Sequence, residues 1–282
     1  MLKSGSSFGF LDFLFYLCIV IKKLTIMKNR KYILTEKTKK VNGHILHRIK
    51  AVADFGNVNE GDLGGWVESK KNLSQSGCCW VYDNACVYCN ARVSHDAQIF
   101  GNAKVFGDAN VRDYVWVCAD AKVYGKATIF GFAHIYESAQ VFGNAIVRDH
   151  ATIAGNAKIY GKTYIRESCF ISGNAKVYGN AQVFNDSTIY GNAKVYGKTC
   201  VCNHAMIFGD AEIKSNGDYV VYKNTWSSGR YFTWTRSNNM WRVGCFYGTG
   251  EELIAKAYKD SEKSGKSYEI IVKAQEALLN VK

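Results

Sequence analysis

The chain has 282 residues, of which 48% are hydrophobic and 21% charged, so wholesale disorder is excluded and one or two domains with a sizeable core are expected. It contains 26 glycines and no proline, where average usage of about 5% would place roughly fourteen. That composition excludes Pro-rich linkers and cis-proline switches, and suits a fold in which nearly every backbone N–H is needed for a ladder. The net charge of +12 is uneven: residues 1–78 carry 13 basic and 6 acidic side chains, 79–217 carry 13 and 11, and 218–282 carry 10 and 7. Such an excess is compatible with an anionic partner and is also common on plain soluble surfaces.

Residues 1–28 read as a leader. The run from Phe8 to Ile26 is apolar, interrupted by Asp12 and ended by Lys22 and Lys23. It is short for a membrane span and has no clear cleavage site, so stable membrane insertion is not expected. A translation start at Met27 is the favoured reading, with a disordered leader beside it. Residues 29–78 read as an N-terminal β cap. Strands are expected at Tyr32–Leu34 and Ile45–Ala51, and Asn42-Gly43 between them is a hairpin signal. The stretch Gly61–Ser69, GDLGGWVES, leads out of the cap.

Residues 79–217 are dominated by a six-residue period. From Val81 to Ile213 every sixth residue is Val or Ile, 23 positions without a skip. Two residues earlier sits a small residue, usually alanine (Ala85, Ala91, Ala97), with compact exceptions such as Thr163, Cys169 and Ser187. Positions three and four apart do not match, so helical periodicity fails. The pattern predicts a single-stranded left-handed parallel β-helix: each hexad is a short strand and a corner, and three hexads close a triangular coil. This gives about seven to eight coils and a prism roughly 35–40 Å long at a strand spacing near 4.8 Å. Gly-Asn, Gly-Asp and Gly-Lys pairs supply corners where positive φ is needed.

Counting by eighteen separates the faces. One face carries Tyr88, Phe106, Tyr124, Phe142, Tyr160, Tyr178 and Tyr196, beside Lys104, Lys122, Lys158, Lys176 and Lys194. Three readings of it stand together: a stabilising ladder, an oligomer contact, and a surface for an anionic ligand, because rings with interleaved cations suit bases and phosphates. A second face carries Arg112, Arg148 and Arg166, each followed by an acid, and reads as a salt-bridge ladder. The third is mixed.

Residues 218–282 read as a small ββαα module. Strands are expected at Tyr231–Arg236 and Trp241–Tyr247, joined at Asn238-Asn239. Thr249 and Glu252 form a capping box for a helix from Gly250 to about Ser264. A second helix from about Ser267 would place Ile271, Val272, Gln275, Leu278 and Leu279 on one side. The hairpin carries Trp226, Trp234 and Trp241 with Arg230, Arg236 and Arg242, which reads either as core packing or as a binding patch. Ser264–Ser267 (SGKS) imitates the end of a phosphate loop. The first glycine is missing, Asp260 standing in its place, and the segment falls between two expected helices, so it is rejected.

The ten cysteines show no small-secreted-domain spacing, so a reducing, cytoplasmic setting is the expectation. Cys78, Cys79, Cys86 and Cys89 lack a second C-x-x-C, and no metal site is assigned.

The hexads resemble the hexapeptide-repeat superfamily. GDLGGWVES, then NLSQSG (Asn72–Gly77), then CWVYDNA and repeated KVYGNA blocks look like the YdcK-type β-solenoid proteins of bacteria and phages, over about residues 30–217. That resemblance implies an association with phage or prophage sequences, and, through the trimeric acyltransferases of the superfamily, a homo-oligomer with a trimer favoured. It also implies an alternative activity, acetyl-CoA-dependent acyl transfer with a histidine base, for which His150 beside Asp149 is the candidate. The hexads run on without the inserted loop common in such enzymes. The leading expectation is therefore a non-catalytic binding or scaffold protein without cofactor. It would hold a nucleotide-like or other anionic ligand, nucleic acid included, on Tyr124, Phe142, Tyr160, Tyr178, Lys122, Lys158 and Lys176, or on Trp234, Arg236, Trp241 and Arg242.

Overall fold

The computed structural model describes residues 30–280 together with Phe15 and Leu17; the leader otherwise lies outside the described residues. The cap opens with β1 (Tyr32–Val41) and β2 (His44–Ala51), antiparallel across the Asn42-Gly43 turn. Both turn residues have positive φ, 49° and 90°, as the twist of a two-residue hairpin requires. A third strand, β3 (Leu63–Val67), runs antiparallel to β2 and parallel to the first coil, and so converts a hairpin into a parallel stack. Its two glycines are dictated by that junction. A Cβ on Gly64 would lie 2.5 Å from Trp80, and one on Gly65 2.6 Å from Val81.

Twenty-three two-residue strands follow, from β4 (Trp80–Val81) to β26 (Glu212–Ile213), one per hexad. Each pairs in parallel register with the strand eighteen residues away, for example Lys122 with Lys104 and Gln140. The cap adds two rungs of its own, because Val67 pairs with Val87 and Leu73 bridges Val93, so the stack is a solenoid of about eight turns. The interior is the predicted one. The Val/Ile column and the Ala column are both buried, and the compact exceptions Thr163, Cys169, Ser187 and Thr199 are buried with them. Proline has no room here: outside the strands too, N–H groups bond forward to the next coil, as Lys126 N to Gly143 O at 2.7 Å.

Where the stack ends, forward-pointing N–H groups need acceptors, and the C-terminal module, with Asn216 just before it, supplies oxygens. Met206 N donates to Thr233 Oγ1 (2.8 Å), Glu212 N to Ser237 Oγ (2.7 Å), Cys200 N to Asn216 Oδ1 (2.8 Å) and Cys202 N to the Tyr219 hydroxyl (3.2 Å).

That module has four strands, not two. β27 (Tyr219–Lys223), β28 (Tyr231–Thr235), β29 (Met240–Val243) and β30 (Phe246–Gly248) form an antiparallel meander. Tyr219–Lys223 pairs with β28 although it lacks a clean alternation, and Gly244 at positive φ splits the expected second strand into two. The helices are α1 (Gly250–Asp260) and α2 (Glu262–Leu279). The capping box is present: Thr249 N donates to Glu252 Oε2 at 2.8 Å and Glu252 N to Thr249 Oγ1 at 3.3 Å.

The helix break falls earlier than expected because Ser261 caps α2, its Oγ accepting from Ser264 N at 3.1 Å. SGKS therefore lies inside α2, not between helices. Gly265 is there because a Cβ would sit 2.3 Å from the Tyr258 ring. Tyr268, Val272 and Gln275 are the buried stripe of α2, while Leu278 and Leu279 are exposed, contrary to the expected face. No helix among the described residues is long and apolar enough to cross a membrane.

Candidate functional site

The ring column forms a continuous stack. From Tyr88 to Tyr196, successive centroids are 4.7–5.0 Å apart with planes within 8°. In-register coils bring like residues to this distance without any further device, and burial between neighbours pushes the Tyr124, Tyr160 and Tyr178 hydroxyls above their ordinary range. Because each inner ring has a ring on both faces, the ladder offers edges and hydroxyls, not open faces. The base-stacking form of the ligand reading therefore fails on geometry.

Charge on this face is more segregated than the sequence reading implied. On one side of the rings stand Lys104, Lys122, Lys158, Lys176 and Lys194; on the other, at the corner, stand Lys126, Lys162 and Lys198. Lys214 continues the ring column. All nine lysines of residues 79–217 thus share one face, with Asp108 and Glu212 as the acids in these columns. Lys122 pairs in register with Lys104, and Lys176 with both Lys158 and Lys194. Glu212 closes the column through Lys194 Nζ at 2.7 Å, and the hydrogen bond from that lysine holds the Glu212 carboxyl below its ordinary value. Tyr124, Phe142, Tyr160, Tyr178, Lys122, Lys158 and Lys176 are therefore brought together.

The hairpin tryptophans are brought together too, as direct cross-strand partners, but inside the module and not on its surface. Trp234 and Trp241 are 1% and 2% exposed, packed with Phe232, Leu253 and Val272, and Trp234 Nε1 donates to Asn239 Oδ1 at 2.9 Å. They are the module's core, so their rings cannot meet a ligand. Arg242 lies over Phe208 at 4.2 Å and donates to Cys245 O, which ties the module to the last coils; Arg236 is exposed.

His150 is exposed at a convex corner, stacked on Phe132 at 5.0 Å, which stacks on Tyr114 at 4.9 Å. Asp149 does not orient it. That carboxylate lies 3.7 Å from Arg148 Nε and accepts from Glu167 N at 3.2 Å. The Arg face is a mesh more than a ladder of ion pairs. Arg112, Arg148 and Arg166 each pair with the next acid and also cover Phe130, Tyr164 and Phe184 at 4.4, 5.3 and 4.0 Å.

Two features escaped the sequence reading. Tyr114, Trp116 and Phe132, each about half exposed, make an aromatic corner continued by His134, which stacks on Trp116 at 5.0 Å. Eighteen-residue counting of the corner positions would have found it. The other is a cleft where the cap meets the first coil, lined by His44, Glu68 and Cys89. Its signal was Cys89, which stands where Gly107, Gly125, Gly143, Gly161, Gly179 and Gly197 occupy the following coils.

Fold and repeat together define a hexapeptide-repeat β-solenoid with a β cap and an α+β terminal module. No family model matches the chain. Over 39 residues it is 44% identical to the "Uncharacterized acetyltransferase YdcK" of Escherichia coli (strain K12), a match covering 14% of this chain and 12% of that protein.

Proposed function

We propose that the lysine face of the solenoid is a non-catalytic binding surface that holds an extended polyanion. The observation that carries this reading is the collection of nine lysines on one face, several of them in direct register. Two unit charges about 5 Å apart repel by roughly 0.8 kcal/mol even in water. A sequence shaped by folding alone would interleave such charges, as it does with Gln140 between Lys122 and Lys158. A chain of phosphates or carboxylates laid along the ladder, roughly 30 Å at the strand spacing, turns that repulsion into attraction.

Recognition would read charge and spacing, not bases, since the ring faces are occupied. Binding of a single-stranded oligonucleotide and of inorganic polyphosphate, with steep salt dependence and mutual competition, tests the reading; weak binding of both at low salt sinks it. Assembly into a homo-oligomer, a trimer, in a reducing cytoplasm belongs to the same proposal. Light scattering measures the trimer, and the half-exposed Tyr114–Phe132 corner offers apolar area for it.

A second reading, acetyl-CoA-dependent acyl transfer with His150 as base, is favoured by the printed name of the YdcK relative. It predicts a melting shift with acetyl-CoA that disappears in His150→Ala. Against it stands the His150 ring, whose neighbouring carboxylate is turned toward Arg148 and a backbone amide.

A further inference from the structure

Three separate segments converge at the cap–solenoid junction. His44 opens β2 directly after the hairpin turn, Glu68 follows β3, and Cys89 occupies the first corner of the ring face. His44 Nδ1 lies 2.9 Å from Glu68 Oε1, and its Nε2 lies 3.6 Å from Cys89 Sγ. Glu68 Oε2 accepts from Cys89 N at 2.6 Å, so one carboxylate braces both partners. The hydrogen bond from His44 holds the Glu68 carboxyl below its ordinary value. Tyr88, itself buried, lies 5.3 Å from the His44 ring, and its hydroxyl accepts from Asn42 Nδ2 at 3.1 Å, which fixes the turn that carries the histidine.

Cys89 is the odd member of its column. The six following coils place glycine at this corner, whereas Cys89 holds φ 58°, a region L side chains rarely adopt. Positive φ is the ordinary corner geometry of the solenoid, shared by Asp83, His95, Ala119 and Asp149, so what sets Cys89 apart is the thiol placed there, facing a histidine. The thiol and imidazole border a groove of about 450 Å³, which Lys71 and Arg92 also line.

We propose that Cys89, His44 and Glu68 form a thiol acyl-transfer site, with Cys89 as nucleophile, His44 as base and Glu68 as positioning residue, acting on esters or thioesters and faster on those that carry an anionic group. The order sulfur, Nε2, Nδ1, carboxylate is that of a nucleophile–base–orienter relay. A metal ion held by both the thiolate and the carboxylate would have to share one imidazole nitrogen with them, whereas here the two groups address opposite nitrogens. Lys71 and Arg92 supply the preference for an anionic donor.

In the first step the thiol proton passes to His44 Nε2 and sulfur bonds to the acyl carbon. The bond from that carbon to the leaving oxygen or sulfur breaks, and the proton on Nε2 goes to the leaving group. In the second, water or an acceptor hydroxyl attacks the thioester and gives its proton to Nε2. The Cys89–acyl bond then breaks and the proton returns to sulfur.

The test uses the full chain. With limiting iodoacetamide at pH 7 and peptide mass spectrometry, Cys89 should be alkylated at least tenfold faster than the exposed Cys245, and only as fast as Cys245 in His44→Gln. Glu68→Gln should lower the Cys89-to-Cys245 ratio and Glu68→Asp restore it, a selectivity that a merely structural role for Glu68 would not produce. p-Nitrophenyl acetate should release a burst of nitrophenolate and leave an acetyl group on the Cys89 peptide. Cys89→Gly, which adopts the residue of the six equivalent corners, should fold normally and lose both. The site is overturned if Cys89 reacts no faster than Cys245, or if no acetyl group appears on it. It is equally overturned, in favour of a metal centre, if one equivalent of Zn²⁺ binds tightly and its affinity falls in Cys89→Gly and His44→Gln alike. The lysine face is untouched by these variants, so failure here and failure of polyanion binding are separate results.

Discussion

Replacing Lys122, Lys158 and Lys176 together by glutamine tests the lysine face at its centre. Glutamine already occupies this column at Gln140, between Lys122 and Lys158, so the substitution asks the fold for nothing new. For a single-stranded polyanion each neutralised contact contributes about 0.7 to the slope of log K against log salt. Loss of three contacts should therefore flatten the slope by about 2, and at about 0.1 M salt weaken binding by roughly two decades. Stability should move the other way: the Lys104–Lys122, Lys158–Lys176 and Lys176–Lys194 repulsions, each roughly 0.8 kcal/mol before screening, disappear. Fluorescence anisotropy with a labelled oligonucleotide between 50 and 200 mM KCl reads the slope, and urea melts at low and high salt read the stability. The companion Arg112→Gln and Arg148→Gln variants, on a face where the guanidinium groups are stacked on rings, should leave the slope unchanged. An unaltered slope in the triple variant, or an equal loss in the arginine variants, would refute the reasoning.

Tyr160→Ala removes a ring stacked on both sides, at 4.9 and 5.0 Å, and should destabilise by about 2–3 kcal/mol in chemical denaturation, from two stacks and lost apolar burial. Thr152→Pro deletes the rung from Thr152 N to Cys169 O (2.8 Å) and should cost about 3 kcal/mol or more, with hydrogen exchange rising first in the adjoining coils. Burial pushes the Cys169 thiol up to about 12. It should stay unalkylated at pH 8.5 while Cys245 reacts, and native stability should fall above the ordinary thiol range, where only the unfolded chain loses that proton. Glu68, held low chiefly by its hydrogen bond from His44, contributes stability at neutral pH that is lost on acidification through its folded value. Acid unfolding of Glu68→Gln should accordingly show a shallower pH dependence.

The solenoid was legible because one column carries its whole interior: Val81, Val87 and their successors have a single environment, so a single residue type recurs. The Lys–Tyr face was legible for the same reason, though its full charge was not, because Lys126, Lys162 and Lys198 alternate with Asn144 and Asn180 and escape a strict repeat. The terminal module was read less well. Tyr219–Lys223 shows no alternation because it packs partly on the last coil and partly on Phe232 and Trp241, and only tertiary pairing makes it a strand. Trp234 and Trp241 illustrate why aromatic-plus-arginine clusters mislead: in a module this small the largest side chains are needed for the core. The His44–Glu68–Cys89 cleft spans three segments, up to 45 residues apart, and no local pattern announces such a meeting.

The side-chain oxygens of Thr233, Ser237, Asn216 and Tyr219 have a consequence for assembly. Every coil is a template on which an identical coil could be laid, so an unguarded end is a growing tip. By meeting the last amides with short side chains instead of another backbone, the terminal module halts propagation at one fixed length. A chain ending at residue 217 keeps its N-terminal cap and loses Thr233, Ser237 and Tyr219, so it should pair through the one bared end, visible as a concentration-dependent gain in mass by light scattering, while an added block of eighteen residues should lengthen the prism and leave both ends sealed.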